Sequence, residues 1–128
     1  MNDLNNVYSL SISYHQITVY SGDDTPPVIH WTNDAIHLGF ATGDNGVSFE
    51  GVNNGQASII VSLDHLEHLS SVDRAVTVPF TNSSNYIHIT SVMSQILTYP
   101  IPKGDYQLTC YTSLQSDQDI YYFHFQSK

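Results

Sequence analysis

Of the 128 residues, 12 are Asp or Glu and only Arg74, Lys103 and Lys128 are Lys or Arg, so the formal net charge is −9. A negative field this poorly compensated repels DNA, RNA and anionic membrane and attracts a basic partner from a distance, which argues strongly against nucleic-acid binding. The 41% hydrophobic and 12% aromatic shares exclude disorder, and the length suits one domain, residues 1–128, burying roughly two-thirds of its unfolded-chain surface.

Met1 to Val7 has neither a basic nor an apolar segment, and no apolar run reaches membrane-spanning length, so a cytoplasmic location without membrane insertion is expected. Leu10, Ile12 and Tyr14 alternate with serines, after which the apolar phase shifts to Ile17 and Val19. The shift predicts a bulge or bend near His15-Gln16. Ser21 to Pro27 reads as a turn or loop, with Pro26-Pro27 leading into an extended Val28-Ile29. Thr32 is the predicted N-cap of a short helix from Asn33 to Leu38, with Asp34 in its first turn and Gly39 as its stop. Gly43 to Gly46 and Gly51 to Gly55 are turns flanking a short strand at Val47 and Phe49. Ala57, Ile59, Val61 and Leu63 alternate cleanly, and Leu63, Leu66 and Leu69 suggest a helical turn beyond them. Val76, Val78 and Phe80 form a strand that Pro79 pushes toward a sheet edge. Ile87 and Ile89 face one way, with Tyr86, His88 and Thr90 opposite. Tyr106, Leu108 and Cys110 follow a Pro102–Asp105 turn. Ile120 to Phe125, apolar on both faces, reads as a central or covered strand. Together these predict an all-β fold: a single-domain β-sandwich of about eight mostly antiparallel strands with one short helix.

The single cysteine, Cys110, permits no internal disulfide and reads as a small buried hydrophobe rather than a reactive thiol. Seven histidines invite a metal reading. On a helical turn His65 and His68 would share a face, beside Asp64 and Glu67, with His30 or His37 as a third ligand. No HExxH, HxxEH or CxxC pattern accompanies them, so solvated side chains are the favoured reading. His15 and His88 read as surface or half-buried residues, and Asp23-Asp24 is a weak calcium signal. With no Gly-x-Ser-x-Gly elbow and no phosphate-cradling glycine loop, neither enzyme activity nor a cofactor is expected.

Particular stretches carry a resemblance. Ser11 to Val19, Thr25-Pro26-Pro27-Val28, Trp31-Thr32, Ala35-Ile36, Gly39-Phe40 and Val47-Ser48-Phe49-Glu50 begin it. Val76-Thr77-Val78-Pro79-Phe80, Ile87-His88-Ile89, Ser91, Met93-Ser94 and Pro102 to Cys110 continue it in the same order. Over most of Leu10 to Thr112 the chain resembles the competence protein J family, small inhibitors of a DNA-entry nuclease. The departures are Met1–Ser9, Asn53 to Asp73, and Ser113 onward; inhibitory contacts in those parts would direct the chain to a different nuclease.

The resemblance implies a small secreted or surface nuclease as partner, one that cuts double-stranded DNA with a divalent metal and needs a positive cleft for phosphates. An acidic protein can fill such a cleft as a phosphate surrogate, with charge speeding association and buried aromatics prolonging it. The matching segments supply Asp34, Glu50 and Asp105 as contact candidates; charge alone adds Asp23, Asp24, Asp64 and Glu67. Trp31 and Tyr14 are candidate anchors, against the ordinary reading of Trp31 as core. Histidine protonation would weaken the field, and with it inhibition, below about pH 6. Two readings stand beside this one: a β-sandwich module for a sugar or other small ligand, suggested by nine tyrosines, and a His-ligated metal enzyme. The edge strand Val76–Phe80 leaves a homodimer open, and a membrane-bound nuclease would draw the chain to the membrane surface.

Overall fold

The computed structural model describes residues 1–22, 27, 29–43, 45–66, 69 and 71–128. Among them are β1 (Tyr8–Ile12), β2 (Gln16–Ser21), α1 (Asn33–Leu38), β3 (Phe40–Thr42), β4 (Gly46–Glu50), β5 (Gly55–Leu63), β6 (Arg74–Asn82), β7 (Ile87–Thr90), β8 (Ile96–Tyr99), β9 (Gly104–Ser113) and β10 (Ile120–Ser127). Two five-stranded sheets form, in the orders β1-β5-β10-β9-β6 and β3-β4-β2-β7-β8. Every pairing is antiparallel except that of β10 with β5, where Tyr121 lies beside Ile59 and Phe125 beside Leu63.

The alternation read in the sequence becomes the inner faces of these sheets. Leu10, Ile12, Ile59, Val61, Val78, Leu108, Cys110, Phe123 and Phe125 of the first sheet meet Ile17, Val19, Phe49, Ile87, Ile89 and Leu97 of the second in one core. Aromatic pairs lock it, with Phe49 and Phe123 ring centroids 5.8 Å apart across the sheets. Cys110 is fully enclosed and its thiol is pushed up to about 12 by that burial, as suits a small hydrophobe. β6, carrying Pro79, lies at an edge, and β10 is central.

The chain departs from the sequence reading at four places. The phase shift near His15 is no bulge within one strand: β1 and β2 belong to different sheets, joined by a tight turn at Tyr14-His15. Tyr14 therefore leaves the inward row of Leu10 and Ile12 and stands 71% exposed. His88 is buried, with Tyr20 at 4.9 Å and Tyr86 at 5.3 Å between ring centroids, because its strand lies between β2 and β8 and both neighbours cover it. The helical turn suggested by Leu63, Leu66 and Leu69 does not begin at Leu63, which ends β5 and is followed by Asp64 at φ 60; Glu67 and His68 within it lie outside the described residues. β3 and β8 also bring the strands to ten among the described residues. Val28, and the Asp23-Asp24-Thr25-Pro26 part of the predicted loop, lie outside the described residues. No helix among the described residues is long and apolar enough to cross a membrane.

α1 matches its sequence signals. Thr32 Oγ1 accepts from the Ala35 amide at 3.1 Å, and Gly39 closes the helix at φ 83 while donating its amide to Ala35. A Cβ at Gly39 would stand 1.9 Å from Arg74 Nη2. Gly39→Ala is therefore expected to displace Arg74 and to destabilise the fold by about 1–2 kcal/mol through its left-handed backbone, measured as a lowered urea midpoint at unchanged slope.

Candidate functional site

One end of the sandwich gathers the ends of β1 and β9 and the starts of β5, β6 and β10 in one sheet, with the start of β2 and the end of β4 in the other. The turn at Tyr14-His15 and the loop Gly51–Asn54 bridge the sheets there, and α1 lies beside them. Tyr14 and His15 have φ of 54 and 53. Two consecutive positive values are the pattern of a type I′ turn, whose usual residues are Asn and Gly. Bulky side chains in that conformation are strained, and only surrounding structure keeps them so.

That structure is present on both sides. Gly51 donates its amide to His15 O at 2.8 Å, and the His15 amide donates to Asn54 Oδ1 at 3.0 Å. Opposite, Ser91 Oγ bonds the Gln16 carbonyl at 2.7 Å and the Ser13 amide at 2.9 Å, and Ser13 Oγ donates to the Val92 carbonyl. A Cβ at Gly51 would meet Ile12 Cγ2 at 2.7 Å, so a side chain there would force the buried Ile12 to shift.

Above the turn opens a groove of about 230 Å³ lined by Tyr14, His15, Gln16, Trp31, Ile36 and Glu50. Trp31 is half-buried at its wall rather than in the core, its indole N–H donating to Gln16 Oε1 at 3.0 Å. Ile36 is 56% exposed, an apolar side chain turned toward solvent. Glu50 sits at the junction of the sheets: its amide donates to Gly39 O at 3.0 Å, and its Oε1 takes the Arg74 guanidinium.

The predicted site residues therefore separate. Trp31, Tyr14 and Glu50 converge on the groove. Asp34 is exposed on α1, two residues from Ile36 and so on the other side of the helix. Asp105 and Asp64 stand at the opposite end of the first sheet, where Asp105 accepts from Thr81 Oγ1 at 2.8 Å. Asp23, Asp24, Glu67 and His68 lie outside the described residues. Among the described residues no group of three His, Cys, Asp or Glu side chains is placed to hold a metal.

Sequence reasoning missed three acids at the α1 end. Asp73 Oδ2 accepts from the Leu114 amide at 2.7 Å; Asp119 accepts from the Gln115 amide at 3.3 Å and from Asn53 Nδ2 at 2.8 Å; Asp117, exposed, lies between Gln115 and Asp119 in the same loop. Their gathering depends on pairing between distant segments, which no local pattern records. Lys128 and Lys103 flank the far end beside Asp105, so Arg74 is the one Lys or Arg at the α1 end, and Glu50 already holds it.

Fold and site thus define an acidic β-sandwich that presents a rigid aromatic groove at one loop-bearing end. A family model described as Competence protein J (ComJ) matches residues 9–126, and the chain belongs to that family. It is 48% identical over 112 residues to a "DNA-entry nuclease inhibitor" from Bacillus subtilis (strain 168), covering 88% of this chain and 85% of the relative. Among solved structures it is similar to the crystal structure of ComJ, described as an inhibitor of the DNA degrading activity of NucA, from Bacillus subtilis, with a TM-score of 0.89, 46% identity and 96% of each chain covered.

Asp64 has a structural task at the far end. It accepts from the Ser127 amide at 2.7 Å and Ser127 Oγ at 2.9 Å, and these bonds hold its carboxyl below the ordinary value of 3.8. A carboxylate with a lowered folded pKa contributes stability in full above its unfolded value, lost as pH falls through the folded one. Asp64→Asn is accordingly expected to lower the urea midpoint at neutral pH, with the difference from the wild type closing at pH values under 3.8.

Proposed function

We propose that this chain inhibits a DNA-entry-type nuclease by docking its α1 end into the enzyme's basic DNA cleft. The observation that carries this reading is its membership of the ComJ family, with 48% identity to a DNA-entry nuclease inhibitor over 88% of the chain. The physical chemistry at the α1 end agrees. Asp34, Asp73, Asp117 and Asp119 cluster at an end whose one Lys or Arg, Arg74, is already paired. A cleft shaped for phosphates attracts such a surface along the path that DNA would take. The aromatic groove then supplies contact area that slows dissociation.

The inhibitor acts where it meets its nuclease, in the cytoplasm or against a membrane that carries the enzyme. Competence and toxin immunity would use the same contact, and the neighbouring gene distinguishes them.

The test is a titration of DNA cleavage by the nuclease encoded beside this gene. Cleavage is expected to vanish near one-to-one and to return at high salt as the field is screened. Undiminished cleavage in large excess, with no complex on gel filtration, would sink the pairing. Within this scheme Asp34→Asn combined with Asp117→Asn is expected to slow association about tenfold at low salt, by stopped-flow mixing, while Asp105→Asn at the far end leaves the rate unchanged.

A further inference from the structure

We propose that the groove between Tyr14 and Trp31 receives one arginine side chain of the partner nuclease, its guanidinium bound by the Glu50 carboxylate. The proposal rests on the inhibitor reading and names the chemical group that the α1 end takes.

Three observations carry it. The first is the cost of placing Tyr14 where it is. Its ring is 71% exposed on a residue with φ 54, next to His15 with φ 53. Core packing gains nothing from an exposed ring, and glycine would meet the backbone requirement without strain. Bonds from Gly51, Asn54 and Ser91 nevertheless hold the turn rigidly in that state. A side chain kept at such expense serves something outside the chain.

The second is the shape and chemistry of the groove. Tyr14, Trp31 and Ile36 give flat apolar walls, and Glu50 places a carboxylate among them. A side chain with a long methylene stem and a planar cation satisfies both: the stem packs on the walls and the plane stacks on a ring. A lysine ammonium, compact and strongly hydrated, would use the rings less well. The indole is fixed by its bond to Gln16, so little ordering remains on binding.

The third is the state of Glu50. Arg74 donates to Oε1, so this carboxylate already binds a guanidinium within the chain. Among the described residues no donor is bonded to Oε2, and a carboxylate accepts at both oxygens. Glu50 is 40% exposed and Arg74 30%, which leaves an approach from the groove. The arginine that docks here is one the nuclease would otherwise turn to phosphate.

The test has two arms. In the first, dissociation constants for the cognate nuclease are measured for the full-length wild type, Tyr14→Gly and Glu50→Gln, together with melting temperatures. Tyr14→Gly is expected to melt higher than the wild type yet bind about tenfold or more weakly. A Tyr14→Gly or Glu50→Gln variant that binds as the wild type does would overturn the proposal. In the second arm, fluorescence of Trp31, the single tryptophan, follows titration with N-acetylarginine amide and its neutral citrulline counterpart. Arginine amide is expected to shift the emission with an affinity of about millimolar, citrulline amide to leave it unchanged, and Glu50→Gln to abolish the response. Equal responses to both compounds, or none to either, would also overturn it. If the wild type fails to bind the nuclease while arginine amide still titrates Trp31, the inhibitor reading falls and the arginine pocket stands.

Discussion

Everything at the α1 end depends on β10 being buried on both faces. Its inner residues Tyr121, Phe123 and Phe125 fill the core, and its outer residues Tyr122 and His124 are equally enclosed. On the outer face Ser62 Oγ lies 2.7 Å from both the Tyr122 hydroxyl and His124 Nδ1, so the polar atoms there have partners within the same sheet. β10 takes β5 as a parallel neighbour and β9 as an antiparallel one, which leaves β5 and β6 pointing the same way. The end of β5 and the start of β6 therefore lie at opposite ends of the sheet. Arg74 thereby stands at the α1 end, where it pairs with Glu50 and packs against Gly39. β10 also supports the bridging loop directly, since the Tyr121 hydroxyl accepts the Val52 amide at 2.8 Å. Gly51 and Asn54, on either side of Val52, in turn clamp His15. A central aromatic strand thus fixes a surface turn through two short chains of contact.

In the proposed docking, the same end would divide its work between long range and short range. Exposed acids act through water and are screened within about 8 Å at physiological salt, so their influence is on encounter. The groove would act by contact, and its rigidity would set how much affinity each contact yields. Glu50 belongs to both groups. Its bond with Arg74 is partly solvated and adds little to stability, yet it holds the carboxylate in one orientation at the groove.

Much of this fold was legible in the sequence because its signals are local. Alternation at Ala57–Leu63 and Tyr106–Cys110 gave the inner faces, Thr32 and Gly39 gave both ends of α1, and Pro79 marked an edge. The family resemblance was legible for the same reason, in contiguous stretches such as Ser11–Val19. What escaped was set between distant residues. The turn at Tyr14-His15 carries none of the residues that usually announce one, and its support comes from Gly51, Asn54 and Ser91. His88 resembled a surface residue because its cover comes from other segments: the ring of Tyr20 lies over it and its Nδ1 is 2.9 Å from Thr98 Oγ1. Asp73 and Asp119 gave no pattern to read, being joined to the α1 end through Leu114, Gln115 and Asn53. Trp31 and Glu50 stand apart in the sequence; only the folded chain places them in one groove.

Lys128 leaves the first sheet beside Asp105, its amide 3.2 Å from the Asp105 carbonyl, at the end opposite α1. A linker joined there would run away from Tyr14 and Trp31. The protein can therefore be tethered by that residue, to a bead, a sensor surface or a second domain, with its groove facing outward.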